Sequence, residues 1–273
     1  MIYIQKRRTP RNIKEKAEQI KRDKTNGYED IKLPEDKKRL RYLFDMMPKD
    51  EIRESLYKEQ HGLCAYCMRR ITGDRKDTKI EHYNALVSDK DGALDFQNYF
   101  GVCYGGEKDE SDELNPMESC LCCDASKSDK SITINPWNKR HMDAIGYYKH
   151  TGEIYVRDDC GLDSELVDKM QKDIDDVLHL NGEKDSSGKI MYDTRSKLVA
   201  SRKRVCDSVR TQFKRWGNDE KVLTADFLMD KISKLEHMLQ DDNVADEFIG
   251  VRLYMYRRKA EKLRRMEARK KMN

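Results

Sequence analysis

Residues 64–83 read CAYCMRRITGDRKDTKIEHY, and residues 120–127 read CLCCDASK. The first stretch opens on Cys64 and Cys67, two thiols with two residues between them. That spacing lets both sulfurs reach one tetrahedral ion from a single turn. The second stretch supplies Cys120, Cys122 and Cys123, and Cys103 stands between the two. Two thiol clusters in this order predict a zinc site, with Cys64 and Cys67 as one half and the other drawn from Cys103 and the Cys120/Cys122/Cys123 group. Cys160 and Cys206 are isolated and read as free thiols.

Outward from these stretches, the chain has 273 residues, enough for one generous domain or two modest ones. Hydrophobic residues make up 37 % and charged residues 39 %, against about 45–50 % and about 25 % in ordinary globular domains. No stretch approaches the roughly 18 apolar residues of a spanning helix, and no apolar run of a secretory leader follows the basic start. The expectation is a cytoplasmic protein, where clustered thiols bind metal more often than they pair as disulfides. The charge is segregated. Residues 1–22 carry a local excess of +6 and residues 251–273 one of +8, while acids crowd between Glu107 and Glu118. Basic ends and an acidic middle suit a polyanion partner or an internal charge match; a solvated helix face is the plainer account of any single run.

Hydrophobic periodicity predicts helices over 12–24 and 34–60, the second split at Pro48, and again over 162–180, 193–216, 222–240 and 245–271. Short strands are expected at 79–83 and 132–134, and a hairpin around Thr151-Gly152. Residues 95–102 read as a short helix or loop, 104–122 as a long loop, 124–130 as the opening of a helix and 185–188 as a linker.

Phosphodiester hydrolysis needs a base to take a proton from water, a hard cation to neutralise charge on the leaving oxygen, and a group that orients the base. His82 has the ordinary pKa of such a base. Glu81 and Asp124 offer the oxygen ligands that Mg2+ or Mn2+ takes, and Asn98 an amide able to bridge two backbone segments. Lys127 either contacts the scissile phosphate or caps a carbonyl.

The order C-x2-C, acid-His, Asn, Cys, then Cys-Asp-x2-Lys resembles an HNH endonuclease of the ββα-metal type with a structural zinc. The resemblance sharpens over residues 1–137. Gln60-His-Gly-Leu-Cys64, Ile80-Glu81-His82-Tyr83, Asn98, Val102-Cys103-Tyr-Gly-Gly106, Cys123-Asp124-Ala-Ser-Lys127 and Asn135-Pro136 are similar to the PtuB-like family. These are the HNH nucleases of Septu and retron antiphage systems, which work beside an ABC/SMC-like ATPase, PtuA. In retron versions a reverse transcriptase and its RNA–DNA product join them. The resemblance implies Glu81 and Asp124 as catalytic-metal ligands, His82 as general base, Asn98 as the loop holder, and Cys64, Cys67, Cys103 and Cys123 on zinc. The spacing of Cys120 and Cys123 leaves open a half-site that would release Cys103. Two features depart from the wider superfamily: Glu stands where Asp is usual before the His, and Asp124 where His or Asn is commoner.

The expected architecture is therefore α+β, a small zinc-stapled ββα core embedded in a mostly α-helical chain. It divides into a basic helical segment (1–54), the nuclease core (55–145), and a β-hairpin with a helical tail (146–273). The expected activity is metal-dependent cleavage of DNA or tRNA as the effector of an antiphage system. A stand-alone restriction-like HNH DNase and a non-catalytic zinc-binding module are the alternatives. An acidic 104–122 loop acting as a nucleic-acid mimic over the site is a further expectation.

Overall fold

Apolar residues three and four apart give each N-terminal helix one buried stripe. In α1 (Arg11–Arg22) the stripe is Ile13, Ala17 and Ile20; in α2 (Lys37–Asp45) it is Leu40, Leu43 and Phe44. α3 (Lys49–Glu59) buries Ile52 and Leu56, and Asp50 and Glu51 sit in its first turn, where acids complement the helix dipole. The computed structural model that places these elements describes residues 1–107, 119–218, 223–240 and 242–272.

β1 (Lys79–His82) and β2 (Tyr99–Val102) form an antiparallel hairpin in which Glu81 faces Phe100 and His82 faces Tyr99. Directly opposed residues share a face of the sheet, so the hairpin separates two cores. Tyr99 lies with the stripes of α1–α3 in one; Phe100 and Val102 lie in the other. α4 (Cys123–Lys127) follows, with Asp124 in its first turn.

The second core gathers α5 (Lys139–Asp143), the hairpin β3 (Ile145–Tyr147) and β4 (Ile154–Val156), and α6 (Ser164–Lys172), which runs into a π turn at Asp173–Val177. After it come the hairpin β5 (Glu183–Lys184) and β6 (Ile190–Tyr192), then α7 (Leu198–Gly217), α8 (Ala225–His237) and α9 (Ile249–Met272). Ile2 and Ile4 of the extended first residues pack into this same core beside Leu63, Tyr66, Val209, Leu228 and Val251. Each core thus takes residues from more than one of the segments 1–54, 55–145 and 146–273. Arg202 of α7 is fully buried and donates to the carbonyls of Gly152 and Leu180 at 2.7 Å each, tying α7 to the β3–β4 connection and to the segment between the π turn and β5.

Several local expectations are corrected. Residues 99–102 are a strand, not a helix or loop. Residues 132–134 form no strand, because the N–H groups of Thr133 and Ile134 are taken by the Asp173 carboxylate at 2.6 and 2.7 Å. The helix expected over 193–216 starts at Leu198, since Asp193 turns its carboxylate onto the N–H groups of Val199 and Ala200. No helix among the described residues is long and apolar enough to cross a membrane.

Candidate metal and hydrolytic centre

The knuckle after α3 is built by short-range hydrogen bonds. His61 and Gly62 both take positive φ, and Cys64 N–H donates to Arg69 O at 2.8 Å while Met68 N–H donates back to Cys64 O at 3.0 Å. Gln60, fully buried, accepts from Gly101 N–H and donates to the carbonyls of Gly101 and Leu63, which locks the knuckle against β2. Cys103 follows β2 and Cys123 opens α4. The four buried sulfurs of Cys64, Cys67, Cys103 and Cys123 all lie within 4.8 Å of one another.

Three of those separations are 3.7 Å (Cys67–Cys103), 3.9 Å (Cys103–Cys123) and 4.0 Å (Cys64–Cys123). A tetrahedral ion with metal–sulfur bonds of about 2.3 Å requires sulfurs about 3.8 Å apart. The group fits a structural metal such as zinc. Burial pushes the Cys64 thiol up, yet hydrogen bonds from the other three thiols and from Cys67 N–H outweigh it and hold Cys64 well below its ordinary range. Cys120 is not part of this group, and the Cys122 thiol points to Gly105 O at 3.6 Å. The half-site that would release Cys103 is therefore overturned.

On the Phe100 face of β1, Glu81 and Asp124 hydrogen-bond each other. Lys127, fully buried, places its ammonium 2.7 Å from Glu81 Oε1 and 3.3 Å from His82 O. Lys79 pairs with Asp124 at 2.5 Å and with Glu107 at 3.1 Å. Tyr66 O–H donates to Glu81 at 3.4 Å. Burial, reinforced by the neighbouring Asp124, drives the Glu81 carboxyl well above the usual range. Burial also acts upward on Asp124, but the hydrogen bond with Glu81 and the Lys79 ammonium pull it below its ordinary value. Both are hard oxygen donors of the type Mg2+ takes, and a divalent ion held by them would compete with the two ammonium contacts.

His82 leaves β1 on the other face. Its ring packs edge-on to Phe44 (4.4 Å) and Tyr99 (4.9 Å), and it is 5 % exposed. Nε2 lies 3.1 Å from Ala93 O. A carbonyl only accepts, so Nε2 carries the hydrogen, and in the neutral ring Nδ1 keeps the lone pair. Burial lowers the His82 pKa to about 4, helped by the positive charges of Arg41, Lys49 and Lys127, so the ring is neutral at pH 7. Asn98 fixes the loop behind it: Oδ1 accepts from Asn84 N–H at 2.8 Å, and Nδ2 donates to Asn84 O and Gly92 O at 3.0 Å each.

The structure thus brings Glu81 to Asp124 and the four cysteines to one another, and sets His82 on the opposite strand face with Asn98 bracing its loop. Of the two expectations for Lys127, the carbonyl cap is the one seen: its buried ammonium lies 3.3 Å from His82 O and is the counter-ion of Glu81. His61 and His141 stand apart, bonded to Asn243 O and Asn135 N–H. The acidic run lies largely outside the described residues. Sequence reasoning missed Lys79, Tyr66, Arg41 and Lys49. For Lys79 the signal was present, since residues two apart on a strand share a face with Glu81. The chain matches no family model and no curated protein.

Proposed function

We propose that the chain is a ββα-type endonuclease that hydrolyses nucleic-acid phosphodiesters with a divalent cation, its hairpin–helix unit braced by zinc on Cys64, Cys67, Cys103 and Cys123. The observation that carries this reading is the contact of Glu81 on β1 with Asp124 on α4, one residue along the strand from a neutral His82. In this reading Nδ1 of His82 takes the proton from the attacking water. Asn98, by holding Gly92 and Asn84, keeps Ala93 O in place and so fixes the ring's tautomer. Arg41 and Lys49, whose charges act on His82, draw a phosphate toward that face. A cation on Glu81 and Asp124 supplies charge neutralisation at the scissile phosphate and leaving oxygen. An ABC/SMC-like ATPase partner belongs to the same proposal and rests on the resemblance alone.

A second reading has its own support. The burial of His82 beneath Phe44 and the lysine on each carboxylate suit a metal-stapled module that binds nucleic acid or a partner without cutting. Incubating the purified chain with DNA or total tRNA, with Mg2+ or Mn2+, alone and with the co-expressed ATPase, separates the two. The proposal expects cation-dependent cuts in at least one arm; binding without cuts in every arm sinks it. Cutting without the ATPase would select the restriction-like alternative.

A further inference from the structure

A second group of metal-binding side chains lies outside the centre described above. Cys120 forms a parallel bridge to Thr194, with Arg195 N–H donating to Cys120 O at 2.9 Å. His179 sits at positive φ just past the π turn, pinned by Leu180 N–H to Ile174 O and Gly182 N–H to His179 O. Glu183 opens β5 directly after Gly182, where a side chain would run into Tyr192 O, so glycine lets the strand turn in. Two stretches distant in sequence, around Cys120 and over residues 179–183, thereby bring a thiol sulfur, an imidazole nitrogen and a carboxylate oxygen within 4.8 Å of one another.

Neither the His179 ring nor the Glu183 carboxylate makes a hydrogen bond or ion pair among the described residues, so their lone pairs converge without a protein partner. Cys120 and His179 are partly exposed. A thiolate, an imidazole and a carboxylate are three of the donor types Zn2+ accepts, and three protein ligands leave the fourth tetrahedral position to water. Thiolate and carboxylate together balance the charge of the ion.

We propose that Cys120, His179 and Glu183 bind a second, exchangeable Zn2+ ion. It staples the segment entering α4 to the turn after the π helix and to the β5–β6 hairpin. Being more open and having fewer thiolates than the four-cysteine group, it loses its ion to a chelator first. The proposal is independent of any nuclease activity.

The test loads the full chain with Zn2+, removes loose metal by gel filtration and counts zinc by mass spectrometry. Wild type, Cys120→Ser, His179→Gln and Glu183→Gln are compared, with Cys160→Ser as a control and circular dichroism to verify folding. A chromogenic chelator then follows release. The expected result is two ions in wild type and the control, one of them released fast, and only the slowly released ion in Cys120→Ser and His179→Gln. Glu183→Gln, on a hairpin edge, retains the second ion with at least about tenfold faster release. A single ion in wild type, or site variants that match wild type in both count and release, overturns the proposal; loss of the slow ion would instead point to the four-cysteine group.

Discussion

Lys127 sets the electrostatics of the acid pair. With its ammonium fully buried against Glu81, Lys127→Met leaves a carboxyl in a pocket shaped for an ion pair. Breaking such a buried pair from one side costs about 3 kcal/mol, read as a lower urea midpoint. Lys79 is partly exposed, so Lys79→Gln costs far less and unmasks Asp124; Mn2+ affinity measured by calorimetry should rise severalfold, and an unchanged affinity would place the cation elsewhere. His82 gives a pH test. Its pKa is about 4 in the fold against an ordinary value of about 6.5. The unfolded chain therefore binds the proton first as pH falls. Stability from this group is complete above about pH 6.5 and is lost by about pH 4, amounting to about 3 kcal/mol. His82→Gln should lose less stability than wild type between pH 7 and pH 4; equal losses would contradict a buried neutral imidazole.

Among the elements, the hairpin loop and α4 carry the geometry. Asn98 makes three hydrogen bonds to backbone groups of Asn84 and Gly92, and a Cβ at Gly92 would lie 2.7 Å from the Asn98 amide nitrogen. Asn98→Ala leaves those groups unpaired, at about 1–3 kcal/mol, and should speed amide exchange through residues 84–93 while metal content stays constant. An amide able to bridge two backbone segments was readable from the residue type; the loop role was what the resemblance implied. β2 was not readable, because Tyr99, Phe100, Gly101 and Val102 are buried on both faces and show no alternation. The 132–134 stretch misled for the opposite reason: its apolar alternation is that of a strand, but a carboxylate from the π turn takes its N–H groups. Whether Cys103 or Cys120 supplies the fourth sulfur depended on chain geometry. Cys103 joins the group, while Cys120 is bridged to Thr194, a long-range partner that cysteine spacing does not encode.

At the scale of the whole molecule, the four-cysteine cluster ties together β2, α4 and the knuckle that follows α3. Stripping the metal should expose the amides of residues 63–70 and 120–127 to exchange and lower the thermal midpoint, since a structural ion contributes directly to folding. The far end of α9 is a different kind of feature. From Glu261 to Lys270 it is exposed apart from Leu263, and its basic character was plain from composition. Neutralising Arg264, Arg265, Arg269 and Lys270 should weaken nucleic-acid binding and flatten its salt dependence; unchanged binding would leave that end a solvated helix. What composition could not convey is that Met1 and Ile2 lie against Gly250 at the start of α9, in the same core. The most direct test of the central claim compares cleavage by wild type, His82→Ala and Asp124→Asn at matched zinc content and saturating Mg2+ or Mn2+. The account predicts that each variant loses at least about a hundredfold in rate while keeping its fold; a His82→Ala protein that cuts as fast as wild type would contradict it.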